Sequence, residues 1–132
     1  MIKLQKDTTG TLRQRISIDS HELFADVDTS LGGEDSAPDP HDLLDSSLAA
    51  CTAITLSMFA KRRAIPLDGI NIDLDRDASN EKQGEYNLAL NIQFVGNLSS
   101  EQTQQLLDIV AKCPIHKLLS HASINITTHH QS

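Results

Sequence analysis

Tryptophan is missing from this sequence, and aromatic residues of any kind are scarce: one tyrosine and three phenylalanines. Aliphatic side chains must therefore fill its core. Positive charge is also in short supply, with 11 Lys and Arg against 18 Asp and Glu, a net −7. Nucleic acid and anionic membrane surfaces both require a basic face, so neither is an expected partner. The opening ten residues, MIKLQKDTTG, are polar and do not read as a signal peptide. The longest uncharged apolar run, Ser46 to Ala60, falls short of the roughly 18 residues that span a bilayer. No internal repeat, low-complexity tract or long linker divides the chain. These traits predict one soluble domain over residues 1–132, large enough to bury a core without metals or disulfide staples. Only two cysteines occur, Cys51 and Cys113. In a cytoplasmic protein, the expected setting, such a pair is more often free, catalytic or redox-active than a structural bridge.

What is present is strong local patterning. Residues 11-TLRQRISIDSHELFADVD-28 alternate polar and apolar positions in two phases, which predicts two short strands joined near Asp19–His21. Residues 1-MIKLQK-6 suit a further edge strand. The Gly, Ser, Asp and Pro of 29-TSLGGEDSAPDP-40 read as a surface loop. A helix start follows. Asp39 can cap it, Pro40 fits its first position, and Asp42 puts negative charge in its first turn. That helix should run to about Arg63 and has almost no polar face, so it should be buried all round. One small chain can hardly cover it, which points to a second subunit.

Downstream, 68-DGINIDLDRD-77 and 84-GEYNLALNIQFVG-96 alternate cleanly and predict an antiparallel hairpin. Ser99 and Glu101 mark another helix start, and a stripe from Leu106 to Cys113 continues it until Pro114 breaks it. A short helix from Ile115 to about Ser120 and a closing strand, 122-ASINITT-128, complete the order. Segregated strands and helices of this kind define an α+β domain.

The two cysteines differ in setting. Cys51, in the middle of the long helix, can be a small apolar residue packed among alanines. Cys113 precedes a proline that suits a first helical position. As an N-cap, its thiol would meet free amides and the positive end of a helix dipole, which lower a thiol pKa. His116 is a further donor nearby. Spacing alone does not show whether the two sulfurs meet.

The run 32-GGEDSAPDPHDLLDSSLAACTAITLSMFAKRRAIPLDGI-70, followed by 113-CPIHKLL-119, resembles the OsmC/Ohr family, and its OsmC-like branch more than the organic hydroperoxide resistance proteins proper. The resemblance rests on the Gly-Gly loop, the Pro-x-x-Leu helix start, Ala-Ala-Cys-Thr, the Pro-Leu-x-Gly entry to the hairpin, and Cys-Pro-x-His. It implies antiparallel sheets around a long central buried helix, in an intertwined homodimer. It also implies a thiol peroxidase of organic hydroperoxides, serving oxidative-stress defence. Cys51 would become a sulfenic acid, Cys113 would resolve it to a disulfide, and a dithiol such as lipoamide or a small thiol would reduce that bond. Neither metal nor bound cofactor is implied.

A peroxidatic Cys51 at mid-helix needs help, because burial raises a thiol pKa. The resemblance implies an arginine from an N-terminal strand, held by a glutamate ten residues before the first cysteine. Arg13 and Arg15 share one strand face, and Arg15 is preferred. The glutamate's position is held by His41, a departure that puts activity, though not fold, in question. Asp42 lies roughly opposite Cys51 around the helix, and Glu34 is a second candidate partner for the arginine. Leu48, Ile54, Met58 and Phe59 are the expected apolar lining of a peroxide pocket. The reading from another class is a non-catalytic binding dimer with packed cysteines. A zinc site from Cys51, Cys113, His116 and His41 is disfavoured, since their spacing matches no compact zinc module.

Overall fold

The computed structural model describes residues 1–131, which form two compact units, one of residues 1–46 and one beginning at Ser47. The first unit is built on a three-stranded antiparallel sheet. Its strands β1 (Ile2–Lys6), β2 (Gln14–Ile18) and β3 (His21–Ala25) lie in the order β1-β2-β3. Ile18 pairs with His21, so the turn falls where the pattern predicts it, with Asp19 in the left-handed region at φ 52°. All five residues of β1 are exposed.

One buried carboxylate shapes the loop that follows. Asp26 accepts hydrogen bonds from the amides of Val27, Glu34 and Ser36 and from the Ser36 hydroxyl. It thereby closes residues 26–36 into a tight loop. Gly33 is required there, since a Cβ would strike the carbonyl of Val27.

Helix α1 (Pro40–Arg62) begins as its sequence predicts. The Asp39 side chain accepts from the Asp42 amide at 2.8 Å, and the Asp42 side chain accepts from the Asp39 amide at 3.1 Å. Asp42 is therefore half of a reciprocal capping box. In the second unit α1 buries one row at i, i+4 spacing: Leu48, Thr52, Leu56 and Ala60. Thr52 is tolerated because its hydroxyl donates to the Leu48 carbonyl at 2.8 Å. Other apolar positions stay open, with Ile54 60 % and Met58 57 % exposed in the single chain. The helix contains an 18-residue window of mean hydropathy 1.5, long and apolar enough to cross a membrane by length and composition; 28 % of it is buried. The uninterrupted run considered from sequence was shorter because it stopped at charged residues. The helix closes with Ala64 in the left-handed conformation at φ 54° and an Ile65 amide bond back to Ala60 at 2.9 Å.

Strands β4 (Leu67–Asp77) and β5 (Asn87–Gly96) form the predicted hairpin, pairing Ile70 with Phe94, Ile72 with Ile92 and Leu74 with Leu90. One half-buried row from each strand faces inward, and their polar rows face solvent. Helix α2 (Ser100–Asp108) carries a full capping box between Ser99 and Gln102. Its Leu106 joins Leu56, Ala60 and Ile65 in the core of the second unit.

Two expectations are corrected here. The helix before Pro114 does not run on to Cys113. It ends at Asp108, and Val110–Lys112 tighten into a 3-10 turn. The residue before a proline is pushed out of the helical region, and Cys113 accordingly sits at ψ 129°. Helix α3 then spans Pro114–His121. Nor does the alternating segment after it form a strand. Residues 122–131 have no secondary structure, and Ile124 and Ile126 stand 61 % and 85 % exposed. Alternation gives a strand only where an edge is available to pair with.

Candidate functional site

The break at Pro114 positions the site. It turns the chain so that Cys113, the last residue before α3, faces the middle of α1. The thiols of Cys51 and Cys113 come close enough to interact with each other. Both cysteines are free. Cys113 is fully buried and Cys51 half-buried. The sealed member of the pair is thus the one farther from solvent, and the accessible member is Cys51.

Their electrostatics follow from their neighbours. Burial pushes the Cys51 thiol up. The Cys113 thiol, the Ile115 amide and the Thr55 hydroxyl all bond to the sulfur and together outweigh burial, so the net shift is down. The Thr55 oxygen lies 4.0 Å from that sulfur. Cys113 moves the other way. Burial raises it, and donating to Cys51 raises it further, against a smaller pull from the His116 and Ile115 amides. Cys113 is the N-cap residue of α3, as expected, yet its side chain makes no capping hydrogen bond. The Ile115 amide at the start of that helix lowers Cys51 as well. The reading that gave Cys113 the better-activated thiol is therefore corrected: the helix start activates its neighbour across the gap.

In the first unit, Arg13 and Arg15 share one face of the sheet, and both meet Asp7. Arg13 Nε lies 2.8 Å from Asp7 Oδ2, and its Nη1 donates to the Ser36 carbonyl at 2.8 Å. Its guanidinium also covers the Phe24 ring at 4.1 Å. Arg15 is held less tightly. Its Nη2 is 3.5 Å from Asp7 Oδ1, and its Nε is 3.2 Å from Glu22 Oε1 without hydrogen-bond alignment. Burial raises the Asp7 carboxyl, but bonds from Thr9, Arg13 and the Thr8 amide hold it below the ordinary value. Glu34 is not the arginines' partner. It accepts instead from the amide and hydroxyl of Thr11. His41 is the second residue of α1, in its first turn.

Sequence reasoning missed Asp7, Glu22 and Thr55. Thr55 carried a signal, since i+4 on a helix is adjacent to Cys51. Glu22 carried one too, as a cross-strand neighbour of Arg15 once the β2–β3 turn is placed. Asp7 carried none, because it lies beyond the end of β1. The expected pocket lining is also revised. Leu48 belongs to the core, Ile54 and Met58 are exposed in the single chain, and Phe59 lines a cavity. Among the described residues, no group of three His, Cys, Asp or Glu side chains is placed to hold a metal.

The fold and site together define a class: an α+β protein with two antiparallel sheets and one long apolar helix, in which a thiol of that helix meets a thiol at the start of α3. A family model described as OsmC-like protein matches residues 33–129, and the chain belongs to that family. Solved structures agree on the fold. The OsmC-like protein from Mycoplasma pneumoniae superposes with a TM-score of 0.73 at 20 % identity, over 92 % of this chain and 86 % of that one. An organic hydroperoxide resistance protein OsmC from Legionella pneumophila gives 0.63 at 20 % identity, covering 92 % and 90 %. The organic hydroperoxide resistance protein OhrB of Bacillus subtilis gives 0.59 at 19 % identity, covering 92 % and 91 %. No curated protein matches the sequence significantly.

Proposed function

We propose that this protein is a thiol-dependent peroxidase that reduces organic hydroperoxides in oxidative-stress defence. The observation that carries the proposal is the facing pair of free thiols, one lowered and accessible, the other raised and buried. That asymmetry suits a nucleophile and a resolving partner. The Cys51 thiolate attacks one peroxide oxygen and the O–O bond breaks. The other oxygen leaves with its organic group and takes up a proton as the alcohol, and Cys51 becomes a sulfenic acid. The Cys113 sulfur then attacks the Cys51 sulfur. Its proton leaves with the displaced hydroxide as water, and a Cys51–Cys113 disulfide forms. An external dithiol such as lipoamide, or a small thiol, returns both sulfurs to thiols. The fold relatives named for organic hydroperoxide resistance support the substrate class.

In this reading Arg15 is the cation that favours the Cys51 thiolate. Its looser hold, compared with the fully engaged Arg13, supports that choice. Asp7 and Glu22 do the holding that the family gives to a glutamate at the position of His41. The protein acts as a homodimer in the cytoplasm, where a reducing pool supplies the thiol. The apolar side chains that α1 leaves open support the second subunit.

The test is a free-thiol count before and after one equivalent of cumene hydroperoxide. The wild type should lose both thiols to an intrachain disulfide. Cys113→Ser should stop at a sulfenic acid, and Cys51→Ser should not react. Survival of both wild-type thiols would overturn the proposal and leave a binding dimer with packed cysteines.

A further inference from the structure

We infer that the Thr55 hydroxyl is the donor for the oxygen that Cys51 carries once oxidised, and so acts in the step that forms the disulfide. The inference rests on Cys51 being the reacting thiol, and it adds a catalytic residue to that reading. Thr52 and Thr55 lie on the same helix, yet their hydroxyls do different things. Thr52 is buried and donates to the Leu48 carbonyl one turn back, at 2.8 Å. Thr55 has the Cys51 carbonyl at the same offset and does not bond to it. Its Oγ1 instead lies 4.0 Å from the Cys51 sulfur. Threonine in a helix divides between two rotamers, so a local contact can decide where the hydroxyl goes.

The distance suits an oxidised sulfur better than a thiol. A thiol sulfur is a weak acceptor, and 4.0 Å is a long contact for it. An oxygen bonded to that sulfur on the Thr55 side is one covalent bond nearer, at the roughly 2.5–3.0 Å of an O–H···O hydrogen bond. The other groups at the sulfur are committed. Cys113 is the attacking thiol, and the Ile115 amide, at the start of α3 beside it, meets both sulfurs. Thr55 comes from α1 itself, one turn beyond Cys51. It is half-buried and lines a cavity with Phe59 and Ile109, so packing does not hold it on every side. Of the donors at Cys51, its hydroxyl is the one that can follow the oxygen.

In the disulfide step the Cys113 sulfur bonds to the Cys51 sulfur and the S–O bond breaks. The departing oxygen keeps the electron pair of that bond, takes up the Cys113 proton and leaves as water. Thr55 donates a hydrogen bond to that oxygen as negative charge builds on it, and retains its own proton.

The test separates the two chemical steps on the whole protein. Hydrogen peroxide in excess serves as the oxidant, because it needs no organic pocket. Rapid-quench samples, trapped with dimedone and read by intact mass, give the rate at which sulfenic acid forms and the rate at which it closes to the disulfide. The pH is set above the Cys51 midpoint of every variant, so that differences in thiolate fraction drop out. Thr55→Val keeps the volume and loses the hydroxyl, while Thr55→Ser keeps the hydroxyl. Closure should slow about tenfold in Thr55→Val, the worth of one hydrogen bond to a group gaining charge, and recover in Thr55→Ser. Thr55→Val should also build up sulfinic acid, since its longer-lived sulfenic acid meets a second peroxide. Equal closure rates in wild type and Thr55→Val, or a Thr55→Ser as slow as Thr55→Val, would overturn the inference. A defect that vanishes above the midpoint would overturn it too, because Thr55 would then act on the thiolate alone. If cumene hydroperoxide leaves the thiols unchanged, yet sulfenic acid made with hydrogen peroxide closes about tenfold more slowly in Thr55→Val, the role of Thr55 stands and the organic hydroperoxide reading fails. If neither oxidant yields a sulfenic acid at Cys51, both fall.

Discussion

Cys51 and Cys113 bring their thiols into contact, and the contact shifts them in opposite directions. Burial raises both, while the contact lowers Cys51 and raises Cys113 further. The N-terminus of α3 acts on both sulfurs, because the Ile115 amide lowers Cys51 as well as Cys113. A thiol in contact with a helix start need not be the one that caps it. What decides is the balance of burial against all the donors that each sulfur meets.

The pH at which Cys51 becomes reactive should report that contact. Wild-type Cys51 should be alkylated by iodoacetamide with a midpoint below that of an ordinary thiol. Removing the donor in Cys113→Ala should raise the midpoint, and Cys113→Ser, which keeps a hydroxyl donor, should raise it less. Thr55→Val removes a second donor at nearly constant volume and should also raise it. Identical midpoints in wild type and Cys113→Ala would show that the contact does not set the ionisation.

A second expectation concerns assembly. The open apolar side chains of α1, Ile54 and Met58 in particular, lie on a helix whose opposite row is already in the core. Exposed apolar surface of this extent is characteristic of an interface. The variant carrying Ile54→Asp and Met58→Asp should sediment as a monomer where wild type sediments as a dimer. A monomeric wild type at micromolar concentration would remove the second subunit from the proposed function.

Much of this was legible in the sequence because it is local. Asp39, Pro40 and Asp42 announce the start of α1, the alternation of Ile70, Ile72 and Leu74 announces β4, and Ser99 announces α2. The two cysteines were legible as a candidate pair, with Cys51 as nucleophile and Cys113 as resolver, through the resemblance carried by Ala-Ala-Cys-Thr and Cys-Pro-x-His; read without it, the N-cap position pointed to Cys113 as the lowered thiol. The shifts depend on burial and on the contact between the thiols, which no spacing encodes. The acids that hold Arg15 were illegible for a related reason. Glu22 needs the strand register, and Asp7 needs the path of the chain after β1. The tail from residue 122 was misread because alternation describes a strand's faces without supplying its neighbour.

Asp26 gives a pH prediction with a definite sign. Hydrogen bonds from the Ser36 hydroxyl and from the amides of Val27, Ser36 and Glu34 outweigh burial and bring its carboxyl down to about 2. An unfolded aspartate titrates near 3.9. A folded value below the unfolded one stabilises the protein above that pH, and the benefit is lost as pH falls through the folded value. Asp26→Asn should therefore lower the urea midpoint at pH 7, and its deficit relative to wild type should shrink between about pH 4 and pH 2. A deficit that stays constant across that window would assign the role of Asp26 to shape alone.

The end of α1 carries a removable strain. Ala64 sits at φ 54°, a region in which a side chain costs about 1 kcal/mol and glycine almost none. Glycine also loosens the unfolded chain, which offsets part of the gain. Ala64→Gly should raise stability by about 0.5 kcal/mol, seen as a higher urea midpoint at unchanged slope. Ala64→Val should lower it by about 1 kcal/mol, since a β-branched side chain fits that conformation worse than alanine does. An unchanged or lower urea midpoint for Ala64→Gly would show that the turn after α1 holds no such strain.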